Sequence, residues 1–344
     1  MPNGITLKDV ARRAGVSYQT VSKVLRDEIK VSPDTRARIE AAVAELGYKP
    51  NTAGRSLRTK TSLLIGYSWK PNFQGRVNPI LEQFLRSIVQ AAEQSNYHIL
   101  LFPYFIQDDM LTAYRDLIRT NRIDGFILSD LNYDDPRVEL LLELDFPFVA
   151  FGSSNPEWEF FYVDVDGRAG LRMATSHLVE QGHKRIAALA WPPNSRVGKA
   201  RLNGYLEAMQ KAGIPIDQDW ILRGEGAIEF GYQATNTLLD LPETRRPTGI
   251  VTIVDSFAIG AIRAVTDRGF IIGSEIGITG FDDSPFVQCL SPGLTSLRQP
   301  IDEVGQITIK LLVDILSGNQ PEERQIMLTP ELIIRGSSLG FNQH

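Results

Sequence analysis

The residues of this chain best equipped to do chemistry stand near its amino-terminal end, in the run Y-Q-T-V-S-K over 18–23. Tyr18 and Gln19 carry groups that bond to base edges. Lys23 offers a cation to guanine or phosphate, and the hydroxyls of Thr20 and Ser22 suit either. Such groups read a nucleic acid only when a rigid element presents them on one exposed face. The flanking residues supply that element: Val21, Val24 and Leu25 recur at helical spacing, leaving Tyr18, Gln19, Ser22 and Lys23 on the opposite side of a helix capped by Ser17.

A second helix has to cross the first. The run L-K-D-V-A-R-R-A places Leu7, Val10, Ala11 and Ala14 on one apolar face, with Thr6 as N-cap, Asp9 reaching back and Gly15 making the turn. Two helices joined by a three- or four-residue turn cross closely only over small residues, and Ala11 and Gly15 meet that need. An ordinary helical hairpin carries the same signature, so charge helps to separate the two readings. A third helix begins at Ser32-Pro33-Asp34, buries Ile39, Ala42, Val43 and Leu46, and stops at Gly47. Residues 1–60 hold twelve Lys and Arg against six Asp and Glu, a net of +6; the remainder carries −11, for −5 in all. A basic head on an acidic body is the footprint of a nucleic-acid-binding module.

The run K-D-V-A-R-R-A-G-V-S-Y-Q-T-V-S-K-V-L, followed by V-S-P-D-T-R and then L-G-Y-K-P-N, resembles the head of the lac repressor / gal repressor (LacI–GalR) family of bacterial transcription regulators. The resemblance implies that Tyr18, Gln19 and Lys23 enter the major groove, with Thr6, Ser17, Thr20, Ser22 and Ser32 as further DNA contacts. It also implies a hinge helix over Asn51–Leu57, with Asn51 and Arg55 at the DNA and Leu57 wedged into the minor groove. Gly54 stands where the family commonly has alanine, a change that disfavours the hinge helix by about 0.8–1.0 kcal/mol.

From Ser62 the texture changes. S-L-L-I-G-Y, Y-H-I-L-L-F-P, I-D-G-F-I-L-S, F-P-F-V-A-F-G, R-I-A-A-L-A-W, T-G-I-V-T-I-V and I-G-I-T-G-F are apolar throughout, as strands buried on both faces of a parallel sheet should be. Helical stretches separate them, and Asn96, Asn121, Gly182, Gly213 and Gly269 sit where left-handed caps belong. The pattern is α/β. The resemblance implies a body of two Rossmann-like lobes, like a type I periplasmic sugar-binding protein, behind an all-α helix-turn-helix head. The expected boundaries are 1–49 for the head, 50–61 for the hinge and linker, and 62–340 for the effector-binding and dimerisation body. Lobe one is expected over about 62–161 and 292–324, and lobe two over about 162–291 and 325–340.

Several classes are excluded by what is missing. Of 344 residues one is cysteine, Cys289, which leaves no disulfide framework or cysteine-based zinc site and suits a cytoplasmic protein. No apolar run is long enough to span a membrane. No G-x-G-x-x-G follows a strand, Gly198-Lys199 lacks the Ser or Thr of a phosphate loop, and neither H-E-x-x-H nor G-x-S-x-G occurs. His177 and His183 read as packing and capping residues. An enzyme is therefore not expected, and no cofactor or metal is called for.

A ligand site is expected at the carboxyl ends of strands. The resemblance implies that Asp282, in G-F-D-D, and Arg201, in A-R-L-N-G-Y, hold ligand hydroxyls from the two sides of a cleft through charge-assisted hydrogen bonds. Trp69 and Phe73, in the loop after the first body strand, are candidate platforms for a sugar ring, and a core role fits them nearly as well. Trp191 ends a strand where the family commonly has glycine. Val254 stands where several sugar-responsive members have asparagine, and Gly226 where some have an aromatic. The expectation is thus a dimeric, ligand-responsive repressor on an inverted-repeat operator, with a sugar effector favoured and a nucleobase or other metabolite second. No leucine-heptad tail signals a tetramer.

Overall fold

The computed structural model describes residues 5–25, 28–48, 61–69, 78–103, 111–225 and 228–341, and the chain divides into two compact units, Met1–Ser62 and Leu63–His344. In the first unit lie α1 (Leu7–Ala14), α2 (Tyr18–Val24) and α3 (Pro33–Leu46). Each starts at a hydroxyl residue. Thr6 donates its backbone N–H and its hydroxyl to Asp9 Oδ2 at 2.9 and 2.7 Å. The N–H groups of Thr20 and Thr35 bond to Ser17 Oγ and Ser32 Oγ at 3.0 and 3.3 Å. Gly15 closes α1 with φ of 65°, a left-handed conformation that glycine adopts without cost. The caps set the helix directions, and Val10, Ala11, Ala14, Val21, Val24, Ile39, Ala42 and Tyr48 close the core between them. Val43 and Leu46, expected in that core, pack half-buried at its margin.

The second unit holds two six-stranded sheets. The first has the order β11-β5-β4-β3-β1-β2, from β1 (Leu64–Trp69), β2 (His98–Pro103), β3 (Gly125–Leu128), β4 (Phe148–Phe151), β5 (Tyr162–Val165) and β11 (Gln325–Leu328). The second has the order β12-β10-β9-β8-β6-β7, from β6 (Ile186–Ala190), β7 (Ile221–Arg223), β8 (Gly249–Thr252), β9 (Gly277–Asp282), β10 (Thr295–Arg298) and β12 (Glu331–Ile333). Every pairing is parallel except β10 with β12. Parallel strands need crossovers, and helices supply them. In chain order these are α4 (Pro79–Gln94), α5 (Thr112–Arg119), α6 (Pro136–Glu143), α7 (Gly167–Glu180), α8 (Arg196–Lys211), α9 (Ile228–Leu239), α10 (Asp255–Asp267) and α11 (Ile301–Leu316). Asn96, Asn121, Gly182, Gly213 and Gly269 all have positive φ, as helix-ending residues before strands.

Two expectations need correction. The strand β2 is not buried on both faces; it is the edge of its sheet, and Leu101 is 48% exposed. The lobe boundaries also move. The chain passes between sheets at Asp166, at 299–300 and at 329–330, a few residues later than about 161, 291 and 324. The cause is local: β5, β10 and β11 are four-residue strands with sequences YVDV, TSLR and QIML, and polar residues interrupt the apolar run that would have revealed them. Each lobe has its own apolar core, one on Ile65, Phe84, Val163 and Leu312, the other on Leu189, Tyr205, Val251 and Phe281.

Candidate functional site

On the head, α2 presents its candidates as its apolar face requires. Val21 and Val24 are buried, while Ser17, Tyr18, Gln19 and Lys23 are exposed and Thr20 and Ser22 half-buried. Ser17 and Thr20 are also tied to each other, Oγ to Oγ1 at 2.8 Å, so part of their hydrogen-bonding capacity holds the helix start. Thr6 and Ser32 are exposed at the starts of α1 and α3. Asn51, Arg55 and Leu57, together with Gly54, lie outside the described residues, as do Phe73 and Gly226.

In the body, α8 and the ends of β6 and β9 bring three of the expected ligand residues, Arg201, Trp191 and Asp282, together. Arg201, on the second turn of α8, lies 3.9 Å from Asp282 Oδ1. Its guanidinium sits 3.6 Å from the centroid of the Phe281 ring and 5.6 Å from that of Trp191, and it donates to the carbonyl of Ile253. Its Nε is buried without a partner among the described residues. Trp69 is elsewhere, half-buried at the end of β1 and packed on the core of the other lobe. Arg201 and Asp282 do not face each other across a cleft as expected. Both belong to the lobe of β6, β8 and β9, because α8 packs on β6.

The backbone that carries Asp282 is strained. Asp282 and Asp283 have φ of 121° and 49°, positions that cost a residue with a side chain of order 1–3 kcal/mol each. Their surroundings hold them there. Gln299 Nε2 donates to Asp282 Oδ1 at 2.7 Å, and the Asp283 N–H bonds to Ser296 Oγ at 3.0 Å. The Asp283 carboxylate is clamped by Arg298 at 2.7–2.8 Å and paired with Arg335 at 2.7 Å. The aspartate at 282 is thereby fixed in direction at the mouth of the strand.

Behind it sits a carboxyl that sequence reasoning missed. Asp255, the first residue of α10, is buried and accepts from Ser296 Oγ at 2.6 Å and from the N–H of Ser284 at 2.7 Å. A Cβ on Gly280 would collide with its Oδ1, which is why β9 carries glycine there. Burial and the neighbouring Asp282 charge push Asp255 up to about 7, while burial pushes Asp282 up to about 6 against the pull of Arg201. Two carboxyls so coupled resist carrying both charges at once. With Arg201 the cluster is close to uncharged, a setting for a neutral ligand rich in hydroxyls. An acid at a helix start reads in sequence as an ordinary first-turn residue, so nothing pointed to Asp255.

The contact that does cross between the lobes is made by Arg196, also missed. Its guanidinium reaches Asp164 Oδ2 at 3.0 Å and Ser153 Oγ at 2.8 Å, both on the lobe of β4 and β5. The two histidines are structural in their contacts: His177 Nε2 pairs with Ser338 Oγ at 2.7 Å and His183 Nδ1 with Thr248 Oγ1 at 3.0 Å. Among the described residues no three His, Cys, Asp or Glu side chains converge as a metal site would need, and no helix is long and apolar enough to cross a membrane.

This arrangement has close parallels. Residues 6–51 match the family model for bacterial regulatory proteins of the lacI family, and residues 175–338 match that for a periplasmic binding protein-like domain. The HTH-type transcriptional repressor CytR of Escherichia coli (strain K12) is 35% identical over 338 residues, 97% of this chain and 96% of its own. A regulatory protein of the LacI family from Chloroflexus aggregans is 54% identical, with a TM-score of 0.78 over 81% of this chain and 99% of that one. The lac repressor dimer bound to operator and the anti-inducer ONPF is 30% identical, with a TM-score of 0.83 over 98% of this chain and 100% of that one. Helix-turn-helix head, two-lobed α/β body and full-length similarity agree: the chain belongs to the lacI family of bacterial transcription regulators.

Proposed function

We propose that this regulator is a repressor that binds an inverted-repeat operator as a homodimer and answers to a small neutral ligand in the body. The observation that carries the DNA reading is the exposed face of α2, where Tyr18, Gln19 and Lys23 stand free of the head core. Each head of a two-fold dimer reads one half-site, so the operator mirrors the protein's symmetry. Base contacts by Tyr18 and Gln19 set the preferred sequence, and Lys23 adds a cation to the same face.

Ligand hydroxyls are held by Arg201 and Asp282, and Asp255 behind them keeps the cluster near neutral charge. This supports a sugar as effector. A flat, ring-shaped metabolite such as a nucleobase is the second reading. It is favoured by Trp191 beside Arg201 and by Val254, which leaves the start of α10 without a side-chain cap where an asparagine would offer an amide. Ligand changes DNA binding only if its affinity differs between two arrangements of the body. A thermal-shift screen of sugars and nucleobases on the purified chain, followed by operator titration at fixed salt with each hit, tests the proposal. A hit that alters operator affinity and is lost in Asp282→Ala supports it; hits that bind equally well to that variant contradict the site.

A further inference from the structure

The helix α8 opens with a cation where a helix favours an anion. Arg196 is its first residue, no acid lies in its first turn, and the positive end of the helix dipole repels the charge. Helix stability therefore does not explain Arg196. On the opposite lobe, Asp164 is just as unexpected. It sits inside β5 between Val163 and Val165, on a strand paired on both sides by β4 and β11, where a carboxylate is costly unless matched.

The two oddities meet. Arg196 joins Asp164 Oδ2 at 3.0 Å, with the two side chains only 13% and 12% exposed, and its other terminal nitrogen donates to Ser153 Oγ at 2.8 Å. Room for the guanidinium comes from Gly152 at the end of β4. Its φ is 104°, and a Cβ there would lie 3.2 Å from the Arg196 nitrogen that holds Asp164. A cation on one lobe, an anion and a hydroxyl on the other, and a glycine that clears the path form a single fastening between the two sheets.

We propose that Arg196, closed on Asp164 and Ser153, is a latch between the lobes, a positioning residue that must release before the cleft can open. Its regulatory meaning rests on the reading of the body as a two-state ligand switch; the fastening itself can be measured without ligand or DNA. Arg196 touches neither Asp282 nor Arg201 in the contacts above. Its role is to fix where the two lobes stand when a ligand enters or leaves.

The test is amide hydrogen exchange on the full chain, without operator or effector, for wild type, Arg196→Met, Asp164→Asn and the double variant. Each single variant is expected to speed exchange at both the start of α8 and the 152–155 segment. The change should be about tenfold, the order expected for lost charge-assisted bonds. The double variant should add little to either single, and Arg196→Lys, which keeps the charge, should fall between wild type and Arg196→Met. Effects that multiply in the double variant, or that stay confined to the lobe carrying the substitution, overturn the latch. Should Asp164→Asn fail to fold, Ser153→Ala closes the same cycle with Arg196→Met. Failure of wild-type chain to bind operator would count against the regulator reading alone, since no DNA enters this measurement.

Discussion

Replacing Asp255 by asparagine should make the body more stable at pH 8 and not at pH 5. A carboxyl held up to about 7, against 3.8 for a free one, costs the ionised fold roughly 4 kcal/mol, a ceiling because Asp282 shares the proton. Below pH 4 folded and unfolded chains are both protonated, so the cost is absent. It grows as pH climbs from the unfolded value through the folded one, and is full above about pH 7. Asparagine removes the charge and keeps an acceptor for Ser296 Oγ. It turns a donor toward the N–H of Ser284, a loss of about 1–3 kcal/mol. The difference leaves Asp255→Asn more stable by roughly 1–2 kcal/mol at pH 8, a gain that is gone by about pH 5 and reversed below pH 4. Urea unfolding followed by tryptophan fluorescence measures this in the body alone, because all four tryptophans, at 69, 158, 191 and 220, lie there. A variant destabilised equally at both pH values would refute the idea that Asp255 is a strained acid.

Arg201→Ala should abolish the effect of ligand on operator binding while operator affinity itself persists, as read by titration with and without the ligand found by screening. The same variant strands Asp282 and should lower the fluorescence-detected stability of the body by about 3–5 kcal/mol. Ser17→Ala removes the oxygen that receives the Thr20 N–H and should cost the head about 1 kcal/mol, seen as faster amide exchange in α2 with the body unchanged. Ligand binding through ionised Asp282 should tighten between pH 5 and pH 8, because the hydroxyls must displace its proton; calorimetric titration showing weaker binding at pH 8 would contradict that role.

The head was legible because its signals are local. Thr6 with Asp9, Ser17 with Thr20, and Gly15 each act within four residues, so spacing alone carries the geometry. The central strands were legible for a related reason: β3, β6 and β8 are buried on both faces and must be apolar throughout. What escaped depends on partners far along the chain. The strand β5 hides because Asp164 breaks its apolar run, and that aspartate makes sense only beside Arg196, 32 residues away. Asp255 acquires its character from burial beside Asp282, and the sheet order alone brings it there, with Ser284 and Ser296 as its hydrogen-bond partners. The sides of the cleft were misjudged for the same cause: sequence motifs mark Arg201 and Asp282, and only the strand order shows that one lobe holds both.

Site selection from random double-stranded DNA tests the central claim most directly, with the wild-type chain and the Tyr18→Ala, Gln19→Ala double variant run side by side. Base contacts carry about 1–3 kcal/mol of discrimination each, so wild type should enrich an inverted repeat and the variant should lose preference at symmetric positions in both half-sites. No enriched sequence for wild type, or the same motif for the variant, would contradict the reading of α2 as the element that recognises DNA.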